Sequence, residues 1–256
     1  MTSDAAGAIT WGVLPAELFE RVVLFSPHFD DAALGAAHCL FAHPDSVVVT
    51  VMGGRPPRYP DPPSDWDALG GFRVGDDVVA IRREEDEAAM KVIGARPVWL
   101  EFADYQYLAS DERASPETVA AEVARVLDDE RPTAVFLPMG LANPDHVATH
   151  DAGALVARQR PDLAWFCYED SGYKHIPGML AWRVSKLFRS DLWPTPMIVP
   201  TLVDHERKRA AIECYRSQLA PLNRDHALDS RVGGSVPEQF WQLAPPPPGW
   251  ERMRDA

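Results

Sequence analysis

Two kinds of apolar segment alternate along the chain. Arg21–Pro27 (RVVLFSP), Ser46–Met52 (SVVVTVM), Pro97–Phe102, Thr133–Met139 and Leu163–Tyr168 are short continuous runs, rich in β-branched and aromatic residues. Such runs read as strands buried on both faces. Between them, Asp31–Phe41, Val78–Ile93, Pro116–Asp129 and Asp145–Gln159 carry helical spacing. Val78–Ile93 sets Ala, Met, Val and Ile against Glu, Asp, Arg and Lys, and Pro116 stands where a first helical turn tolerates proline. Strand–helix alternation of this kind predicts the α/β class: a mostly parallel β-sheet flanked by helices on both faces.

Beyond residue 170 the pattern loosens. Met197–Val203 is expected as a strand, Asp204–Ser217 as an amphipathic helix, and Ala244–Gly249 (APPPPG) as an extended tail. Gly53–Asp77 holds two Gly-Gly pairs and five prolines, which argues against regular structure. The same stretch carries Arg55, Arg58, Tyr59, Trp66, Phe72 and Arg73. A loop this long in a compact domain usually serves function, and it is expected to cover the carboxyl ends of the strands as a lid. No repeat or linker divides the chain. A single domain is predicted, with a core at about 21–218, the lid loop at 53–77 and a C-terminal extension at 219–256.

Charge narrows the partners. Against 25 Lys and Arg stand 38 Asp and Glu, a formal net charge of −13 over 256 residues. That balance argues against nucleic acid and anionic membrane, which need a basic face. Leu163–Tyr168 is the longest strictly apolar run, far short of the ~20 residues of a membrane span. The first twenty residues hold no Lys or Arg and read as no signal peptide. Cys39, Cys167 and Cys214 form no disulfide framework. A cytoplasmic protein is the expectation.

The chemistry concentrates where the first strand turns into the first helix, at Ser26-Pro27-His28-Phe29-Asp30-Asp31. A dinucleotide-binding protein would place glycines there to admit a pyrophosphate. An imidazole and two carboxylates repel a polyphosphate and suit a divalent metal. His28 and Asp31, three residues apart around a turn, can reach one ion. Asp30 between them aims elsewhere, as a reacting group, a support or a helix cap. A further ligand is expected from Asn143-Pro144-Asp145-His146, after the fourth strand at the same end of the sheet; His146 and His150 share a helix face and compete for the role. Two His and one Asp leave a position open, as in a hydrolytic zinc site.

These motifs resemble those of the LmbE/PIG-L family of N-deacetylases, whose signatures read S-P-H-x-D-D and H-P-D-H. Here SPHFDD is followed about 115 residues later by NPDHVATHDA. Arg82-Arg83-Glu84-Glu85 with Ile93-Gly94 resembles the family's R-x-x-E…L-G helix. Lys208-Arg209-Ala210-Ala211 with Tyr215-Arg216-Ser217-Gln218 resembles its K-x-x-A…H-x-S-Q helix. The resemblance spans residues 21–218 and implies a Rossmann-like sheet. It also implies one Zn²⁺ per chain, replaceable by other divalent transition metals, held by His28, Asp31 and His146. Asp30 would be the general base, with Arg82, Asp104 and Asn143 as substrate contacts.

The implied activity is hydrolysis of the acyl amide, most simply acetyl, on an amino sugar, with a glycosylated natural product or pseudo-disaccharide suggested by the length of the lid. A thiol-conjugate amidase and a metal-binding protein without hydrolase activity are the alternatives. The implied partner is a small-molecule N-acyl amino sugar or glycoside, and a homo-oligomer is compatible with the sequence. Three positions depart from the family pattern. Phe29 replaces Pro; Ala32 replaces Glu and is expected to remove support behind the ligands; Asn143 replaces the first His of H-P-D-H. Asn donates a hydrogen bond but does not titrate. Catalysis would therefore lean on the metal and Asp30, or on His175 or His226.

Overall fold

The computed structural model describes residues 14–232, 237–246 and 249–250. Most of the first twenty residues, and Pro247 and Pro248 of the expected tail, lie outside the described residues. The predicted strands form as β1 (Val22–Ser26), β2 (Val47–Thr50), β3 (Arg96–Trp99), β4 (Ala134–Pro138) and β5 (Ala164–Tyr168), all paired in parallel. Two more, β6 (Trp193–Met197) and β7 (Phe240–Ala244), complete a seven-stranded sheet of order β3-β2-β1-β4-β5-β7-β6. β7 runs antiparallel to both β5 and β6.

The buried strand residues alternate between two apolar layers. Val22 and Leu24 join the layer that holds α1 (Asp31–Ala42), α3 (Val78–Ile93) and α7 (His205–Glu213). Val23 and Phe25 join the layer that holds α4 (Pro116–Glu130), α5 (Pro144–Gln159) and α6 (Met179–Phe188). Successive side chains of a strand point to opposite faces, so strands covered on both sides must be apolar throughout. Strand order reverses between β1 and β4. The loops leaving those two strands therefore diverge to opposite faces and open a crevice at the carboxyl end of the sheet, where such folds bind ligands.

Three local expectations are corrected. Met197–Val203 is not a strand: β6 ends at Met197, and Ile198 and Val203 are 82% and 62% exposed. The strand lies earlier, through Pro194 and Pro196, which an outermost strand tolerates because its outer N–H groups need no partner. Gly53–Asp77 contains a short helix, α2 (Asp65–Leu69), whose cap Ser64 accepts from the Asp67 N–H at 3.1 Å. Asp204–Ser217 is not one helix. It breaks at Cys214–Tyr215, and α8 (Arg216–His226) starts there because the Glu85 carboxylate accepts from Ser217 N–H at 2.8 Å and Ser217 Oγ at 2.7 Å. A side chain of α3 thus satisfies an orphan donor at the start of α8.

Residues 219–256, read as an extension, supply most of α8 and all of β7. They also reach α1. That helix is kinked at Ala36, and Glu238 accepts from the His38 N–H at 3.0 Å and the Cys39 N–H at 3.3 Å beyond the kink. Lys208, itself 1% exposed, donates to Glu238 at 2.7 Å and to the Leu34 carbonyl at 2.9 Å, before the kink. A buried, hydrogen-bonded ion pair replaces the backbone bonds that the kink removes. Gly94 ends α3 with φ +80°, a left-handed cap that only glycine adopts without strain.

Candidate active site

The turn after β1 places His28, Asp30 and Asp31 at the mouth of the crevice. Asp31 Oδ2 accepts from the His28 N–H at 3.0 Å, which closes the turn, and lies 3.2 Å from His28 Nδ1. His146, in the first turn of α5, brings Nε2 to 3.2 Å from the same oxygen. His28, Asp31 and His146 each offer an atom within 4.8 Å of the other two. Ligand atoms around a tetrahedral zinc stand about 3.3 Å apart, so these separations fit a metal of that size.

The other nitrogen of each imidazole is held by a carboxylate. His28 Nε2 lies 3.0 Å from Asp145 Oδ2, and His146 Nδ1 makes a very short hydrogen bond with Asp170 Oδ1. Asp145 also accepts from the Tyr105 N–H at 3.0 Å, and Asp170 from the Leu141 N–H at 3.1 Å. Each carboxylate is itself fixed, so each ring has one orientation and one nitrogen turned inward, as metal-binding histidines require. Ala32 was expected to weaken this support. Asp145 and Asp170 supply it instead, while Ala32 is fully buried with its N–H on Ser26 Oγ at 3.0 Å.

Electrostatics agree with a cation site. Burial opposes charge on His28, but Asp145 and Asp31 outweigh it and push its pKa well above the ordinary value. Burial likewise opposes charge on His146, yet Asp31 and Asp170 raise it to about 9. Asp31 is held well below the usual carboxylate range against its own burial, chiefly by His146. A second grouping, His28 with Asp104 and Asp145, shares the same imidazole. Its two carboxylates are already engaged by Gln106 and by the Tyr105 N–H.

Asp30 differs from its neighbours. It is 6% exposed, starts α1 without capping it, and its carboxylate is engaged by no side chain among the described residues. Burial and the Asp31 charge raise its pKa to about 6, with His28 opposing. It faces a cavity of about 470 Å³ that also meets His28, Asp31, Asn143 and His146.

The remaining predicted residues fall around that cavity with partners of their own. Arg82 lines it, but its guanidinium is buried and donates to Asp67 of α2 at 2.7 Å and to Tyr107 Oη at 3.3 Å. Asp104 lines it 3.9 Å from His28 Nε2 and caps a short 3-10 turn by accepting from the Gln106 N–H at 2.9 Å. Asn143 lines it and caps α5, accepting from the Asp145 N–H at 2.8 Å. His150, the rival ligand, faces away: its Nδ1 meets the Pro138 carbonyl at 2.8 Å, and burial followed by Arg183 lowers its pKa to about 4. His175 is exposed and off the cavity, whereas His226 lines it against Tyr173.

The lid is pinned rather than loose. Trp66 Nε1 donates to Gln218 at 2.8 Å and Ser64 Oγ to Gln106 at 2.8 Å, so α2 and α8 together wall the cavity. Asp145, Asp170 and Tyr173 were missed in the sequence, whereas Gln218 and His226 of α8 were among the residues it singled out. Asp145 stands inside the quoted NPDH motif. Asp170 follows the apolar run by two residues, just beyond the carboxyl end of β5, where functional groups gather.

Among solved structures, the A40926 pseudoaglycone deacetylase Dbv21 shares this fold at TM-score 0.70 and 24% identity over 89% of this chain and 98% of that one. The zinc-inhibited form of the teicoplanin deacetylase Orf2 matches at TM-score 0.68 and 23% identity, over 90% and 100% of the two chains. The 4-carboxy-2-hydroxymuconate hydratase GalB of Pseudomonas putida matches at TM-score 0.51 and 19% identity, over 89% and 97%. A hydratase on the same scaffold means that the fold alone names no reaction. No curated protein sequence matches the chain. The family model for the GlcNAc-PI de-N-acetylases matches residues 23–157, more than half of the chain and inclusive of both motifs that build the site. The chain belongs to that family, PIG-L.

Proposed function

We propose that the protein is a metal-dependent amidohydrolase that removes an acetyl or other acyl group from the nitrogen of an amino sugar. The observation that carries this reading is Asp30: a buried carboxylate that caps no helix and is engaged by no side chain among the described residues, raised to about 6, beside a His28–Asp31–His146 cluster. A general base works best with a pKa near the working pH and its lone pairs free.

His28, Asp31 and His146 would hold one divalent ion, zinc by preference for mixed imidazole and carboxylate ligands. Such an ion supplies Lewis acidity toward water and the amide carbonyl. Asp30 takes a proton from the attacking water as its oxygen bonds to the carbonyl carbon and the C=O electron pair moves onto oxygen. When that pair returns, the C–N bond breaks, and protonated Asp30 gives its proton to the departing nitrogen. A free amine and a carboxylic acid result, and the carboxylate is regenerated. Asp145 and Asp170 keep the two rings still throughout.

The substrate reading follows the cavity. About 470 Å³ walled by Trp66, Tyr107, Tyr173 and His226 exceeds what an acetamido group needs and offers aromatic faces to a sugar or aglycone. A teicoplanin deacetylase of similar fold has been crystallised with teicoplanin, which supports a glycosylated natural product as the substrate class. Arg82, Asp104 and Asn143 stand at the wall as contacts for it. No described helix is long and apolar enough to cross a membrane, and the three cysteines are unpaired. The unpaired thiols support a reducing, cytoplasmic setting.

The test is a panel of N-acetylated amino sugars and glycosides incubated with the zinc-loaded protein, read as primary amine release. Asp30→Asn should keep its metal and lose at least ~10²-fold in kcat; a variant retaining most of its rate would refute Asp30 as the base. Amine release from thiol-adduct amides alone would indicate the conjugate amidase.

A further inference from the structure

The position where the family carries a histidine holds Asn143, and its amide is already committed. Oδ1 accepts from the Asp145 N–H at 2.8 Å, capping α5, which fixes the orientation of the group. Nδ2 is thereby turned to Tyr173 Oη at 3.3 Å. Asn143 donates and Tyr173 accepts, so the phenolic hydrogen remains available. Among the described residues, the Tyr173 hydroxyl makes this one hydrogen bond.

The ring that carries the hydroxyl is locked in place. It stands edge-on to His146, with centroids 5.1 Å apart at 88°, and edge-on to His226 at 5.0 Å and 85°. Its backbone follows from the turn that ends β5: the Tyr173 N–H donates to the Asp170 carbonyl at 3.0 Å, and the Asp170 side chain holds His146. Gly172 belongs to the same turn. A Cβ there would come within 2.9 Å of His226 Nδ1, so the residue must be small for His226 to pack against Tyr173. Tyr173 lines the cavity with Asp30, His28 and His146.

We propose that Tyr173 is a catalytic residue: its hydroxyl, oriented by the Asn143 amide, donates the protein's hydrogen bond to the substrate carbonyl oxygen as that oxygen becomes an oxyanion. Asn143 is then a positioning residue. This rests on the amidohydrolase reading above. A donor fixed before the reaction, and needed only once charge has moved onto oxygen, lowers the barrier without tightening substrate binding.

The experiment compares wild type, Tyr173→Phe, Asn143→Asp and the double variant on an octyl N-acetylglucosaminide, with amine release and zinc content measured together. Tyr173→Phe keeps the ring packing and loses the donor; kcat should fall ~10²-fold or more with KM changed less than about threefold and zinc retained. Asn143→Asp caps α5 equally well, but its second oxygen accepts the Tyr173 hydrogen and withdraws it from the carbonyl. It should lose ~10²-fold as well, and the double variant no more than about threefold beyond either single one.

A Tyr173→Phe protein within threefold of wild-type kcat overturns the assignment, as do two losses that multiply. Should Tyr173→Phe fail to fold, an Asn143→Asp protein at wild-type rate overturns it alone. Silence of the wild type on this glycoside and on the whole panel removes the amidohydrolase reading and this inference with it. An active wild type with an indifferent Tyr173→Phe removes this inference only.

Discussion

Replacing Asp86 by Asn should make the protein gain stability, relative to wild type, as pH rises. Asp86 is fully buried in α3, behind the site, and its carboxylate accepts from Trp99 Nε1 at 2.7 Å and Tyr215 Oη at 2.8 Å. Burial nevertheless wins and lifts its pKa from the ordinary 3.8 to about 7. Between those two values the folded protein holds a proton that the unfolded chain has released. Stability from this group is therefore full below pH 3.8 and is lost as pH rises toward 7. Each pH unit in that window costs about 1.4 kcal/mol, and the interval from pH 5 to pH 8 about 2–3 kcal/mol.

Asn has the same shape and no charge to bury. Its Oδ1 can still accept from Trp99, and the Tyr215 hydroxyl can turn to accept from Nδ2. Urea unfolding of both proteins at pH 5 and pH 8, with the same metal content, isolates the effect because every other titrating group is common to both. The Asn variant should gain about 2–3 kcal/mol on wild type between the two pH values. A difference that stays flat to within about 0.5 kcal/mol, or changes in the other direction, would show that Asp86 is ionised in the fold and that its two donors outweigh its burial.

Two more perturbations test the supports of the site. Asp170→Asn leaves one oxygen to serve both His146 Nδ1 and the Leu141 N–H. Zinc affinity should fall ~10–100-fold in a chelator competition, and an unchanged affinity would mean that Asp170 does not hold the ring. Asp67→Ala strands the buried Arg82 guanidinium, whose shortest contact is the 2.7 Å bond to Asp67. It should cost about 3 kcal/mol, or roughly 6–12 °C in Tm; a Tm shift under about 2 °C would show that this pair does not fasten α2 to α3.

The legible part of the site was the part built locally. His28 and Asp31 meet because they are three residues apart around one turn, a geometry that the sequence specifies by itself. Their relation to His146 was legible only as a place at the same end of the sheet, shared with the rival His150; the family resemblance chose His146. Asp204–Ser217 shows the opposite case. Its helical pattern is real, yet the helix breaks because Glu85, far away in sequence, offers a better partner to Ser217. Met197–Val203 carried strand-like residues, and tertiary context left Ile198 and Val203 in solvent. Asp104 and Asn143 proved to be both cavity residues and caps, so a capping role does not exclude a place at the site.

By itself the sequence determined the class of the fold, most of its elements, the turn that places two carboxylates beside an imidazole, and the acidic net charge of −13. Those features depend on periodicity and short-range contacts, which are properties of neighbouring residues. Only the tertiary structure decided that β7 enters the sheet between β5 and β6, and that α8 walls the cavity beside the lid. Only the tertiary structure fastened His28 to Asp145 and His146 to Asp170, 117 and 24 residues apart, and turned the Asn143 amide toward Tyr173. Such contacts form where chain ends of different strands converge at one edge of a sheet. Strand order sets that convergence, and no single segment encodes it.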